Sequence, residues 1–350
     1  MAPRRSTVFA AIFLQHLNCT LRKLLLLLFA IVAGAAGWAI WQIYVPVSPP
    51  ANVSVLLRSG YSTRRIANEL KKAGVIRSVL AFRVWQAVHR KQSLKAGEYL
   101  FDKPATLVSV HDRLVRGDVY FHIVTIPEGY TIFDIAKVME EAGLSSEEDF
   151  LHVEQTQTQL ISDLAPDAKS LEGYLFPNTY QFTRTQSLQE MAGEMVRQFR
   201  QVAQQIGLTI DVHRTVTMAS IVEKETAIPE ERPQVASVYF NRLARRMALD
   251  ADPSVIYAEL LSGQYTGTLH HADLAVQSPY NSYRYPGLPP GPIGNPGRSA
   301  LEAAMHPSNT EFLYFVADGS GNGHHRFARS LEEHNRNVNA YRHALARNER

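Results

Sequence analysis

The sequence predicts an α+β protein in three parts. An N-terminal transmembrane helix comes first, then a small α+β module with a repeated strand-turn-helix unit, then a mainly helical domain with a Pro/Gly/Tyr-rich loop. Three observations predict it. From Leu24 to Tyr44 about 21 residues run without a charge, enough to cross roughly 30 Å of hydrocarbon as a helix. A short motif recurs at a constant offset of 69 residues. Beyond it, apolar residues return at helical spacing until prolines crowd into one segment. The expected boundaries are 1–23 ahead of the span, 24–45 for the span, 46–144 for the module and 145–350 for the helical domain.

Trp38, Trp41 and Tyr44 gather at the far end of the apolar run, as interfacial aromatics do. Arg4, Arg5, Arg22 and Lys23 precede it, and no acidic residue appears before Glu69. The positive-inside rule then makes the N-terminus cytoplasmic and everything after Pro46 extracytoplasmic. This predicts a single-pass protein of the inner (plasma) membrane with its bulk in the periplasm. A cleaved signal peptide is the competing reading, with Ala33, Gly34, Ala35 and Ala36 as the cleavage region. The apolar run continues past them and is long for a signal peptide's core.

Charge and cysteine agree with export. The formal net charge is +3, and the four cations ahead of the span account for more than all of it. The basic balance reflects topology and predicts no nucleic-acid partner. The sole cysteine, Cys19, precedes the span. The exported part therefore has no disulfide, thiolate metal site or cysteine nucleophile. No P-loop, dinucleotide fingerprint or GxSxG elbow is present, so no cofactor is expected. His270-His271 and His324-His325 invite a metal reading. Adjacent histidines converge on one ion less easily than i, i+4 pairs, and no metal is expected.

The repeat organises the module. Gly60-Tyr61-Ser62, Ile66-Ala67 and Ala73-Gly74-Val75 recur as Gly129-Tyr130-Thr131, Ile135-Ala136 and Ala142-Gly143-Leu144. Each copy reads as a strand (Val53 to Leu57; His122 to Ile126), a turn, and a helix capped by Ser62 or Thr131. Between them lie a helix near Ser78 to Arg90, a Gly97-Glu98-Tyr99 strand and a helix near Val108 to Arg116. Two copies are too few for a solenoid. The repeat is either a plain packing unit or a glycan-binding module that resembles a LysM domain.

An acidic helical stretch, Ser145 to Ala168, opens the second half. Leu171 to Pro177 leads into a strand at Thr179 to Phe182, and a helix follows from Ser187 to Ile206 with Met191, Met195 and Phe199 on one stripe. A helix from Thr215 to Thr226 ends before Pro229. Another starts near Pro233, with Val235, Val238 and Tyr239 inward and Arg242, Arg245 and Arg246 outward. Asp318 to Gly323 reads as a flexible turn, and the C-terminal helix from about Ser330 as a solvated face.

Five of the 18 prolines fall between Pro286 and Pro296. The segment Ser278 to Gly297 cannot be helix or central strand, yet it is too rich in tyrosine for a free linker. Prolines hold a loop in one shape, and tyrosines offer flat faces to sugar rings. The loop is either a rigid connection packing its own rings or the wall of a substrate groove.

Glu223 is the candidate for chemistry. Val216, Ala219, Ser220 and Glu223 share one helical face, where small residues leave room for a ligand. Burial beside apolar neighbours would keep the carboxyl protonated near neutral pH, able to protonate a leaving oxygen. Glu225 is its rival. It lies on the Met218, Ile221, Val222 stripe, about 200° around the helix from Glu223, and spacing alone leaves the two even. Asp252, Glu128 and Glu172 read as turn or cap residues.

Taken together, Ile126-Pro127-Glu128-Gly129, Leu171 to Pro177, Ala219 to Thr226, Asp252 to Tyr257 and the Asn281 to Gly297 loop resemble the YceG/MltG-like endolytic murein transglycosylases. The likeness covers nearly everything after the span. It implies an inner-membrane protein with a LysM-like subdomain and a catalytic domain. Such enzymes cut the MurNAc-β-1,4-GlcNAc bond within nascent peptidoglycan strands, leaving 1,6-anhydroMurNAc ends and ending strand growth. The resemblance favours Glu223 as the essential glutamate. It makes Ser254, Tyr257, Asn281, Tyr283 and Asn295 the candidates for substrate binding. The family often has Asn-Thr-Tyr where this chain has Asn281-Ser282-Tyr283; the hydroxyl is retained.

One carboxyl suffices for such a reaction, because the muramic acid's own 6-hydroxyl attacks C1 and supplies the proximity that an ordinary glycosidase obtains from a second carboxylate and water. The expected partners are peptidoglycan glycan strands, the membrane, and peptidoglycan synthases and elongation proteins. Two alternatives stay open: a non-catalytic peptidoglycan-binding scaffold of the cell-wall machinery, and a hydrolytic muramidase.

Overall fold

The computed structural model describes residues 5–49 and 52–348, with side chains at 21–49 and 52–346. Arg4 lies outside the described residues, as do the side chains of Arg5 and Cys19. The chain forms two compact units, residues 1–121 with 183–185, and residues 122–182 with 186–350.

In the first unit α1 (Arg5–Tyr44) contains a 24-residue stretch, Leu21–Tyr44, of mean hydropathy 2.3, exposed along nearly all its length and buried at Gln42 near its end. It is long and apolar enough to cross a membrane. There follow β1 (Val53–Leu57), α2 (Thr63–Lys72), α3 (Val79–Val88), β2 (Gly97–Phe101) and α4 (Leu107–Arg116). Ser62, Ser78 and Thr106 each accept the backbone N–H three residues on, which satisfies a free donor at each helix start. β1 and β2 pair antiparallel with Val55 opposite Tyr99. Their inner side chains close a core with Leu70, Phe82, Leu107 and Leu114.

In the second unit β3 (His122–Ile126) is followed by α5 (Ile132–Glu141), α6 (Glu147–Thr156) and β4 (Asn178–Phe182). Next come α7 (Leu188–Ile206), α8 (Val212–Glu225), α9 (Arg232–Ala244) and α10 (Asp252–Ser262). The chain then runs through α11 (Arg298–Met305), β5 (Tyr314–Ala317), β6 (His325–Ala328) and α12 (Leu331–Asn348). Seven consecutive residues of α8, Val216 to Val222, are buried. The helix packs against α9, α10 and α11, so it is the axle of the unit.

The repeat is present as two strand-turn-helix copies, but they do not share a sheet. β1 pairs with β2, whereas β3 takes β4 as its antiparallel partner, with Val124 opposite Tyr180. Val124 and Ile126 therefore enter the core of the second unit. The expected module of 46–144 is thus divided at residue 121, because the second copy finds its partner strand in the chain's other half.

One surface expectation changes. Arg242 was expected outward, yet it is buried. It donates Nε to Leu313 O at 2.8 Å and Nη1 to Leu249 O at 2.9 Å and Asp250 Oδ2 at 2.9 Å. The reason is helical: Val235, Tyr239 and Arg242 are spaced i, i+4, i+7 and lie on one stripe. The turn expected at 318–323 is present and joins β5 to β6, which pair antiparallel as a hairpin.

Candidate active site on helix α8

The C-terminal turn of α8 sends its two glutamates to different places. The Glu223 side chain is 4 % exposed and fully engaged. Its Oε1 accepts Arg232 Nη2 at 2.5 Å and its Oε2 accepts the Gly297 N–H at 2.9 Å. Arg232, 6 % exposed, also faces Glu128 at 3.5 Å. Burial pushes the Glu223 carboxyl up, against the Gly297 N–H and the Arg232 guanidinium, which favour the anion. A Cβ on Gly297 would fall on the Glu128 carboxylate, so a larger residue there would require the Glu128 side chain to move.

Glu225 is the last residue of α8 and faces a cavity of about 450 Å³, lined also by Tyr239, Arg242, Asp252, Tyr283 and Tyr314. Its Oε1 accepts the Tyr239 hydroxyl at 2.7 Å. Burial first, then the Asp252 charge, pushes its carboxyl up to about 7, although Tyr239 and Arg242 act against them. A group poised there can hold a proton and release it near neutral pH.

The remaining candidates separate by depth. Tyr283 lines the Glu225 cavity and donates its hydroxyl to Asp252 Oδ1 at 2.7 Å. Ser254, Asn281 and Asn295 are completely buried. Ser254 Oγ donates to Ala251 O at 2.7 Å and lies 2.8 Å from Ser282 Oγ. Asn281 donates Nδ2 to Leu274 O and Val276 O at 3.0 and 2.9 Å. Asn295 accepts the Leu175 N–H at 2.8 Å and donates to Tyr130 O and Glu172 Oε1 at 2.9 and 2.8 Å. Ser254 ties the Ser278 to Gly297 segment to α10, Asn281 ties it to the stretch just before it, and Asn295 ties it to the turns before α5 and β4.

Tyr257 is 2 % exposed and bonds Glu172. With Glu154, Tyr174, His213 and Tyr280 it lines a second cavity of about 600 Å³, walled by Pro290 and Pro292. Burial pushes the carboxyls of Glu154 and Glu172 each up to about 8.

His324 and His325 both turn Nδ1 to one carboxylate, at 2.8 Å from Glu231 Oε1 and Oε2 respectively. Among the described residues no group of His, Cys, Asp and Glu has a metal-binding arrangement.

Tyr239, Arg242 and Tyr314 went unsuspected in the sequence as cavity residues. The first two sit on one helical stripe of α9, a signal that was legible. Tyr314 comes from the β5–β6 hairpin, and His334 of α12 stacks on it at 5.2 Å. Nothing local in the sequence indicates that meeting.

Comparison with known proteins places this geometry in context. The profile of the YceG-like family matches residues 55–340. An endolytic murein transglycosylase of Bacillus subtilis (strain 168) is 33% identical over 309 residues, covering 83% of this chain and 84% of the relative. One from Streptococcus pneumoniae serotype 2 is 31% identical over 318 residues, covering 82% of this chain and 58% of that longer relative. A crystal structure of a putative yceG-like protein from Listeria monocytogenes superposes with a TM-score of 0.54. Its identity is 32%, and the match covers 81% of this chain and 98% of that one.

Proposed function

The chain belongs to the YceG-like family, and on that premise we propose that it is an endolytic peptidoglycan lytic transglycosylase with Glu225 as acid and then base. The observation that carries the assignment is the contrast between the two glutamates of α8. Glu223 has both oxygens held by Arg232 and Gly297. Glu225 faces a cavity, takes one hydrogen bond from Tyr239 and has its carboxyl pushed up by burial to about 7. The preference for Glu223 that the sequence suggested therefore passes to its rival, and Glu223 becomes a structural carboxylate.

Protonated Glu225 donates to the glycosidic oxygen between MurNAc and GlcNAc. The C1–O bond breaks, with its electron pair going to that oxygen. The Glu225 carboxylate then takes the proton of the muramic acid's 6-hydroxyl as O6 bonds C1, which restores the acid and leaves a 1,6-anhydro end. Positioned proton transfer of this kind is worth roughly 10²–10⁴ in rate. The Tyr283 and Tyr314 rings supply the flat faces for sugars. Ser254, Asn281 and Asn295 hold the loop that presents Tyr283, and Tyr257 holds Glu172.

The apolar stretch of α1 anchors the protein, and Arg22 and Lys23 support a cytoplasmic N-terminus. The order β1–α2–α3–β2 of the first unit supports reading it as the LysM-like, glycan-binding part.

A hydrolytic reading has one observation in its favour, that Asp250 and Asp252 line the same cavity as Glu225 and offer a second carboxylate to activate water. Mass spectrometry of fragments released from uncross-linked glycan strands separates the readings. Anhydro ends that vanish in Glu225→Gln and persist in Glu223→Gln are expected. Reducing ends would make it a muramidase. Loss in Glu223→Gln with retention in Glu225→Gln would return the acid to Glu223.

A further inference from the structure

Helix α3 carries an apolar face that is exposed among the described residues. Leu80, Val84 and Val88 are 58, 55 and 75 % exposed. With exposed Ala87 they span an arc of about 100° around the helix. Phe82 on the opposite face is buried in the core of the first unit, as is Ala81, which borders the arc beside Val88. Arg83 flanks one side of the apolar arc, and Arg90 and Lys91 follow in the turn after α3; all three are exposed. Three large aliphatic side chains in one exposed row, rimmed by cations, form an interfacial pattern.

The position of α3 identifies the occupant. Trp85 packs edge-to-face on Tyr44, the last residue of the apolar stretch of α1, with centroids 6.3 Å apart. Arg77, just ahead of α3, stacks over Trp41 with its guanidinium 4.8 Å from the ring centroid. The same guanidinium donates to Val45 O and Pro46 O at 2.5 and 2.7 Å. Val47 and Ala105 then pair through both backbone hydrogen bonds, at 2.8 and 2.9 Å. The chain leaving α1 is thus clamped to the segments that open α3 and α4, and α3 is held at the end of the span, beside Trp41 and Tyr44.

We infer that α3 lies on the bilayer surface, its Leu80, Val84 and Val88 entering the headgroup boundary while Arg83, Arg90 and Lys91 meet lipid phosphates. The inference rests on reading α1 as a membrane span. It makes the first unit a two-point attachment, in which a helix lying in the interface fixes the rotation that a single span leaves free.

The test uses the full chain in anionic nanodiscs, with Cys19→Ser as background and single nitroxide labels at Val32→Cys, Val84→Cys or Val88→Cys. Collision with oxygen marks lipid, and collision with a water-soluble nickel chelate marks solvent. Lipid-type accessibility at residues 32, 84 and 88 is expected. Adding Leu80→Glu should move the residue-84 label into water, several-fold in the oxygen-to-nickel ratio. A lipid-type label at residue 32 with solvent-type labels at 84 and 88 would overturn the inference and leave the anchor standing. Solvent-type labels at all three would overturn the anchor itself. Labels at 84 and 88 shielded from both reagents would mean that a second copy of the chain covers α3, which also overturns it.

Discussion

The Tyr239 hydroxyl donates to Glu225 Oε1 at 2.7 Å, across the gap between α9 and the end of α8. The bond favours the carboxylate, so it opposes the burial that raises Glu225 to about 7. Tyr239→Phe removes the donor and moves the Glu225 titration upward. The alkaline limb of kcat/KM against pH, which reports loss of the acid's proton, should shift to higher pH in the variant. An unmoved limb would mean that another group is the acid.

Glu223 and Arg232 form a buried pair, 4 and 6 % exposed. Removing one member of such a pair leaves the other charge uncompensated and costs roughly 3–5 kcal/mol. Glu128, 3.5 Å from Arg232, keeps part of the compensation, so Glu223→Ala should lower the free energy of denaturant unfolding by less than that. Glu223→Gln, which keeps an acceptor for Arg232, should lose less and still release anhydro-ended fragments.

Glu154 gives a stability that depends on pH. Its carboxyl has an ordinary value of 4.5 and is raised by burial to about 8. Between those values the folded protein keeps a proton that the unfolded chain has lost. The contribution is complete below about 4.5 and is lost as pH rises through 8. Glu154→Gln cannot titrate. Its Tm relative to the parent chain should therefore climb from pH 5 to pH 8.5, whatever the constant offset of the substitution. A difference that is flat with pH would refute the assignment.

Gly173 has φ +89°, and a Cβ there would strike the Pro292 ring and Val216 of α8. Left-handed strain and overpacking act together, and overpacking alone costs typically about 1–3 kcal/mol. Gly173→Ala should destabilise the protein by at least that much. Because Pro292 belongs to the loop that carries Tyr283, activity should fall further than the loss of folded protein explains.

Much of the architecture was legible in the sequence because it is local. The caps Ser62 and Thr131 mark helix starts that the structure reproduces, as it does the helix start at Ser187, and β1 to β4 lie where the sequence reading puts strands. The partner of β3 was not legible, since β4 lies 52 residues beyond the end of β3 and pairing is a property of the assembled core. The site divides in the same way. Spacing brought both Glu223 and Glu225 forward and left them even. Only the surroundings separate them, because Arg232 and Gly297 converge on one while Tyr239, Tyr283 and Tyr314 surround the other. Asn281 and Asn295 attracted notice as polar residues in a proline-rich loop. Their burial shows that the same composition builds the loop's own scaffold.

Glu225 closes α8, and Thr226 after it turns to extended backbone. The aligned peptide dipoles of a helix sum to roughly half an elementary charge of negative sign at that end. A carboxylate there is disfavoured and a cation favoured. In the proposed reaction the macrodipole works in one direction throughout: it helps Glu225 keep its proton beforehand, then attracts the positive charge that grows on the sugar ring as C1–O breaks. A helix reversed in the same place would oppose both.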